Sequence, residues 1–284
     1  MDLRVAVITG ANKGLGLALA RALSRHWGAG GKVVITARDP ERGRQALADL
    51  AAEGLEAQCL PLDLADDGSI QALAARVRAE HGGVDVLIQN GAYAAVPDRP
   101  GRDQVRLMVR TNNLGTHRLL RAFRPLLRTR ARVLVVASGF GTLQSLEPRL
   151  HDRFDTDRLS LDQLEANLEA YVRAVEEDQA GAEGWPEWIN IPSKVGQVAA
   201  ARIFARELAA DPAAPAGLLV NAVCPGWMIT DASRPYLDSL PAHIQPRLPD
   251  QAAPDVLWAA LLPPGAADPQ GELLQYRKII PWKG

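Results

Sequence analysis

A chain of 284 residues with a formal net charge of −1 has no cationic surplus for gripping a polyanion, so nucleic acid is not an expected partner. Its composition, 47% hydrophobic and 23% charged, is that of an ordinary globular protein, and no apolar run reaches the roughly 18 residues of a membrane span. The two cysteines, Cys59 and Cys224, fall in apolar strand-like stretches, which predicts buried, reduced thiols in a cytoplasmic protein, and no metal centre is expected.

Met1-Asp2-Leu3-Arg4 passes straight into a strand pattern, so no signal peptide is expected ahead of the fold. Residues 5–8 read as a buried strand, and residues 14–27 as a helix whose apolar face includes Leu15, Leu19, Ala22 and Leu23. A second strand pattern covers 32–37, after which Asp39 is placed to cap a helix that has Pro40 at its first position. Further strands are predicted over 57–62, 84–89, 132–137 and 218–224, with helices between them. Continuous apolar strands alternating with helices predict an α/β fold, a doubly wound parallel sheet of the Rossmann type covered on both faces, as one domain over 1–284. Ligands of such a sheet sit at the carboxyl ends of its strands.

Between about residues 142 and 186 the alternation gives way to a charged, helix-prone insertion. Ser160-Leu161-Asp162-Gln163 predicts a capping box, and Leu161, Leu164, Leu168, Tyr171 and Val175 recur at helical spacing. Such an insertion either packs on the sheet as a surface element, or walls one side of a substrate site and shields a face otherwise used for oligomerisation.

Thr9-Gly10-Ala11-Asn12-Lys13-Gly14-Leu15-Gly16 joins the first strand to the first helix. Glycines there let the backbone turn tightly and approach a pyrophosphate, which the unpaired N–H groups of the helix start attract. Arg38 ends the second strand about twenty residues further on, where a cation favours a ribose 2′-phosphate and an acid would favour the free hydroxyls. With Lys13 in the loop, and with Asp39 accounted for as a helix cap, the expected cofactor is NADP(H).

Further motifs follow in order: Thr36-Ala37-Arg38-Asp39, Leu62-Asp63-Leu64, Thr111-Asn112-Asn113-Leu114-Gly115-Thr116, Ser138 closing a strand, Glu183-Gly184-Trp185-Pro186, and Cys224-Pro225-Gly226-Trp227 followed by Thr230-Asp231. Together with the glycine loop they resemble the short-chain dehydrogenase/reductase family, in its monomeric carbonyl reductase branch, over essentially the whole chain. The resemblance implies that Gly10, Asn12, Lys13, Gly14, Leu15 and Gly16 hold the dinucleotide, with Asp63 and Leu64 beside the adenine. It also places Asn90 and Gly91 by the adenosine ribose, in a rearranged Gln89-Asn90-Gly91-Ala92 turn, and Lys194 on the nicotinamide ribose. Pro225, Gly226 and Thr230 would fix the carboxamide, Asn112 would hold a water linked to Lys194, and Ser138 would hydrogen-bond the substrate oxygen. A monomer is implied as well.

One residue departs from that pattern. In Trp188-Ile189-Asn190-Ile191-Pro192-Ser193-Lys194, Asn190 stands where the family has a Tyr. A Tyr and a Lys four residues apart share a helix face, and the ammonium lowers the phenol pKa so that it passes a proton near neutral pH. A carboxamide donates hydrogen bonds but has no such proton. Tyr93 is the best-placed stand-in, although a Tyr at a rim is commonly wall. Tyr93, Phe140, Trp185, Trp188, Trp227, Met228 and Tyr236 all fall at or after strand ends, which favours a bulky, planar or polycyclic small molecule. The expected function is NADPH-dependent reduction of an iminium, quinone or conjugated carbonyl; the alternative is a non-redox NADP-binding protein that guides a cyclisation or isomerisation.

Overall fold

The alternating apolar runs assemble, in a computed structural model that describes residues 3–283, into an eight-stranded sheet flanked by helices. Met1 and Asp2, on which the reading of a start without a leader partly rests, lie outside the described residues. The strands are β1 (Arg4–Ile8), β2 (Gly31–Ala37), β3 (Gln58–Pro61), β4 (Val84–Gln89), β5 (Leu127–Val136), β6 (Leu219–Cys224), β7 (Leu273–Gln275) and β8 (Lys278–Ile280). They lie in the order β3-β2-β1-β4-β5-β6-β7-β8, and every pair is parallel except β7 with β8. The chain winds outward from β1 to β3, then crosses to β4 on the other side of β1. That reversal opens a crevice beyond the carboxyl ends of β1 and β4.

Helices α1 (Gly14–Trp27), α2 (Pro40–Ala52), α3 (Asp67–His81), α4 (Val105–Val109) and α5 (Gly115–Phe123) precede the insertion. Helices α6 (Leu161–Glu176) and α7 (Ala180–Glu183) lie within it, and α8 (Asn190–Ala209) and α9 (Pro249–Ala260) follow. Strand alternation divides the core into two layers. On β1, Val7 packs with α3, α5, α6 and α8, whereas Ala6 and Ile8 pack with α1 and α9. Both faces are covered, which is why these strands read as unbroken apolar runs.

Local signals account for most element boundaries. The Asp39 carboxylate accepts from Glu41 N at 2.9 Å, with Pro40 opening α2. Ser160 and Gln163 cap α6 reciprocally, at 3.2 and 2.9 Å. Leu161, Leu164, Leu168 and Tyr171 are fully buried, so α6 packs against α4 and α8 by the face its spacing predicted. Val175 packs at the edge of this cluster. Three expectations need correction. The strand predicted over 57–62 shortens to β3, β5 starts five residues earlier than residue 132, and Cys59 is half-buried where Cys224 is buried. Both thiols are free. The three-residue strands β7 and β8 are too short to show a period, and only their sheet partners define them.

Candidate active site

A cleft of about 1090 Å³ runs along the carboxyl ends of the strands, from the loop after β2 to the loop after β6. Its floor is the glycine loop. Gly10 has φ +60, and a Cβ there would lie 2.6 Å from Gly91 Cα, so only glycine lets the two loops meet. Thr9 Oγ1 accepts from Asn90 N and Gly91 N, each at 2.9 Å, and Asn90 Nδ2 donates to the Thr9 and Gly10 carbonyls at 3.0 and 3.1 Å. Asn90 is therefore a clasp that shapes the loop while also lining the cleft. No side chain caps α1, and its first turn holds no acid, so the helix start is left as an anion site.

Gly10, Asn12, Lys13, Gly14 and Leu15 line the cleft, and Gly16 lies just behind them. A Cβ on Gly16 would come within 2.7 Å of Ala11, Asn90 and Gly10, so its smallness serves packing. Arg38, Asp39 and Arg42 line the end beyond β2, and Asp63 and Leu64 the end beyond β3. The sequence reading omitted Arg42, whose Nε sits 3.6 Å from an Asp39 carboxylate oxygen. Its position one turn into α2, on the Arg38 side, was the available signal. Asp39 is thus occupied by its helix cap and by Arg42, which leaves this end of the cleft cationic. The uncapped helix start, the close backbone approach at Gly10 and the cations at the ribose end fit a phosphorylated dinucleotide.

The opposite end carries the reactive groups. Ser138 follows β5 and accepts from Phe140 N at 3.3 Å. Asn190 is the first residue of α8, and Lys194 follows one turn later; all three line the cleft. Lys194 Nζ donates to Gln197 Oε1 at 2.7 Å, and burial pushes its pKa down to about 8. Cys224, at the end of β6, has its thiol pushed up by burial, while its sulfur accepts from Gly139 N at 3.0 Å. Arg247 Nη2 donates to the Pro225 carbonyl at 2.9 Å and fixes the Pro225-Gly226 turn. Thr230, on the same wall, pairs with Ser233 at 3.0 Å.

Asn112 does not line the cleft. It sits fully buried where α4 passes into α5 through a widened turn over Arg110–Leu114. Its Oδ1 accepts from Tyr93 N at 2.7 Å, and its Nδ2 donates to Tyr93 O and Ser193 Oγ at 3.1 and 3.2 Å. Asn113 Nδ2 donates to the Ser193 carbonyl at 2.8 Å. These two side chains bolt the end of β4 to α8 beside Lys194. Tyr93 lines the cleft, but its hydroxyl donates to Gln104 at 3.0 Å. Gln104 in turn holds the Val96–Pro100 loop, so the Tyr93 hydroxyl is tied to that loop.

Four aromatic rings frame the mouth. Phe140 stands edge-on to Trp188 at 5.4 Å and to Trp227 at 6.5 Å, and Trp188 lies 5.6 Å from Tyr236. Met228 lines the same wall. Trp185, expected among them, is buried elsewhere: its ring packs on Tyr171 at 4.5 Å and Phe154 at 6.1 Å, anchoring the insertion. Only Pro186 and Glu187 separate it from Trp188, yet Trp185 is buried in the core and Trp188 lines the cleft. Lys13 Nζ pairs with Asp231 at 2.6 Å, joining the glycine loop to the loop after β6.

Comparison with known proteins agrees with this geometry. The family profile of the short chain dehydrogenases matches residues 4–147. Carbonyl reductase [NADPH] 1 of Sus scrofa is 35% identical over 283 residues, covering 98% of this chain and 94% of the relative. Salutaridine reductase from Papaver somniferum superposes with a TM-score of 0.81 at 23% identity, covering 95% of this chain and 99% of that one. A short chain dehydrogenase from Burkholderia cenocepacia J2315, solved in complex with NADP, gives 0.68 at 21% identity, covering 96% of each chain. Among the described residues no helix is long and apolar enough to cross a membrane.

Proposed function

The chain belongs to the short-chain dehydrogenase/reductase family, and from that premise we propose an NADPH-dependent reductase of a bulky, possibly polycyclic small molecule. The observation that carries the reading is Asn190 one helical turn ahead of Lys194, in a cleft that keeps Ser138 and the nucleotide cradle. The glycine loop and the start of α1 would hold the pyrophosphate, Arg38 and Arg42 the 2′-phosphate, and Lys194 the nicotinamide ribose. Bound there, the reduced nicotinamide supplies a hydride. Ser138 and the Asn190 N–H groups donate to the substrate atom on which negative charge develops. The aromatic frame of Phe140, Trp188, Trp227 and Tyr236 excludes water and accepts a broad, flat ligand.

With a carboxamide at position 190, the substrates served best are those that need no phenolic proton. An iminium carries its charge before hydride arrives, and a quinone or conjugated carbonyl spreads it. The protein should work as a cytosolic monomer, in keeping with two free thiols and an insertion helix covering α4 and α8.

The test is loss of NADPH absorbance with a panel of cyclic iminium ions, quinones and plain ketones. Turnover of the first two groups ahead of the third supports the reading. Nucleotide binding without turnover of any compound would replace it by the non-redox alternative. Calorimetry should show NADPH binding more tightly than NADH, and comparable dissociation constants would overturn the assignment of Arg38 and Arg42.

A further inference from the structure

One buried polar side chain on α8 is left unexplained by the site as described. Gln197 is fully buried, and its Nε2 has no acceptor among the described residues, while its Oε1 takes the Lys194 hydrogen bond at 2.7 Å. A buried carboxamide with an unpaired N–H is destabilising, and the apolar residues Val195 and Val198 beside it show what this stretch of core otherwise prefers. Among the described residues its side chain's one hydrogen bond is with Lys194.

The elements packed around this turn of α8 offer Lys194 few other partners. β6 presents the Cys224 thiol, Ser138 lies just beyond β5, the 110–114 turn presents Asn112 and Asn113 to Ser193, and α6 presents Leu168 to Gly196. None is a carboxylate. The ammonium thus rests on a neutral acceptor, and burial brings its ionisation near neutral pH, to about 8. Around it, Asn190 has no acidic proton, the Tyr93 hydroxyl is turned onto Gln104, and the Cys224 thiol is held protonated by burial.

We propose that Lys194 is itself the proton donor to the substrate oxygen, and that Gln197 is a positioning residue that holds its Nζ and tunes how firmly it keeps its proton. The proposal rests on the reductase reading above and names the proton source for those substrates whose oxygen gains charge. The carbonyl carbon takes the hydride and its two electrons as the dihydronicotinamide is oxidised, and the C=O π pair moves onto oxygen. One N–H bond of Lys194 breaks, an O–H bond forms, the electron pair stays on Nζ, and the amine takes a proton back from water in the cleft.

The experiment has two arms. In nucleotide-free protein carrying isotope-labelled lysine, the Lys194 Nζ resonance, assigned by its loss in Lys194→Met, is titrated by NMR. A midpoint near 8 is expected, moving down in Gln197→Leu, which removes the acceptor, and up in Gln197→Glu, which adds a charge. In the second arm, kcat/KM for a quinone or ketone should fall about tenfold per pH unit above that midpoint, and the limb should follow both variants. A preformed cyclic iminium should show no such limb. A limb that ignores both Gln197 variants, or turnover of quinones with no limb, overturns the role of Lys194 and leaves the reductase reading standing. Absence of turnover with every compound overturns that reading, and this one with it.

Discussion

On the proposed reading, position 190 lacks only a phenol to serve as an acid, because α8 sets it one turn ahead of Lys194. Asn190→Tyr is expected to raise kcat/KM for plain ketones, toward the roughly 10²–10⁴ that general acid help contributes. Steady-state assays with a simple ketone decide it; no gain would mean that Trp188 and its neighbours have rebuilt the pocket around the carboxamide. Gly10→Ala should abolish nucleotide binding and lower the thermal midpoint, since both its φ of +60 and the 2.6 Å approach to Gly91 Cα exclude a methyl group. At this scale the chain was readable where a place on the cleft follows from local pattern, as with the glycine loop, Arg38, Ser138 and Lys194, all of which line it. Arg42 and Gln197 escaped because their parts depend on what lies across space. Trp185 misled for the same reason, since aromatic type does not reveal whether a ring enters the core or the cleft.

Among the elements, α6 shows how far periodicity reaches. The Ser160-Gln163 box and the Leu161, Leu164, Leu168, Tyr171 stripe fixed both its start and its buried face, but not the surface it covers. Removing the cap by Ser160→Ala should cost about 0.5–2 kcal/mol of stability in urea unfolding, with KM for NADPH unchanged. The contact of α5 with α6 adds a pH dependence. Burial holds the His117 imidazole below its ordinary value, outweighing Glu165 at 3.9 Å. Below about pH 6.5 the unfolded chain gains a proton that the folded chain resists, so stability declines as pH falls through that value. His117→Leu should flatten this decline in the urea midpoint, and an unaltered slope would show that the imidazole is not its source. β7 and β8 remained invisible in the sequence because strands of three residues carry no period; pairing of β7 to β6, and of β8 to β7, makes them sheet.

For the molecule as a whole, a doubly wound parallel sheet followed from alternation, whereas the full order of its strands and the position of the insertion did not. α6 lies over α4 and α8, and its own Tyr171 packs on Trp185. The helix face that braces Lys194 is thereby closed by the chain's own residues. On the proposed monomeric reading, saturation curves should stay hyperbolic and specific activity should survive extreme dilution, since no neighbour has to be recruited before turnover begins.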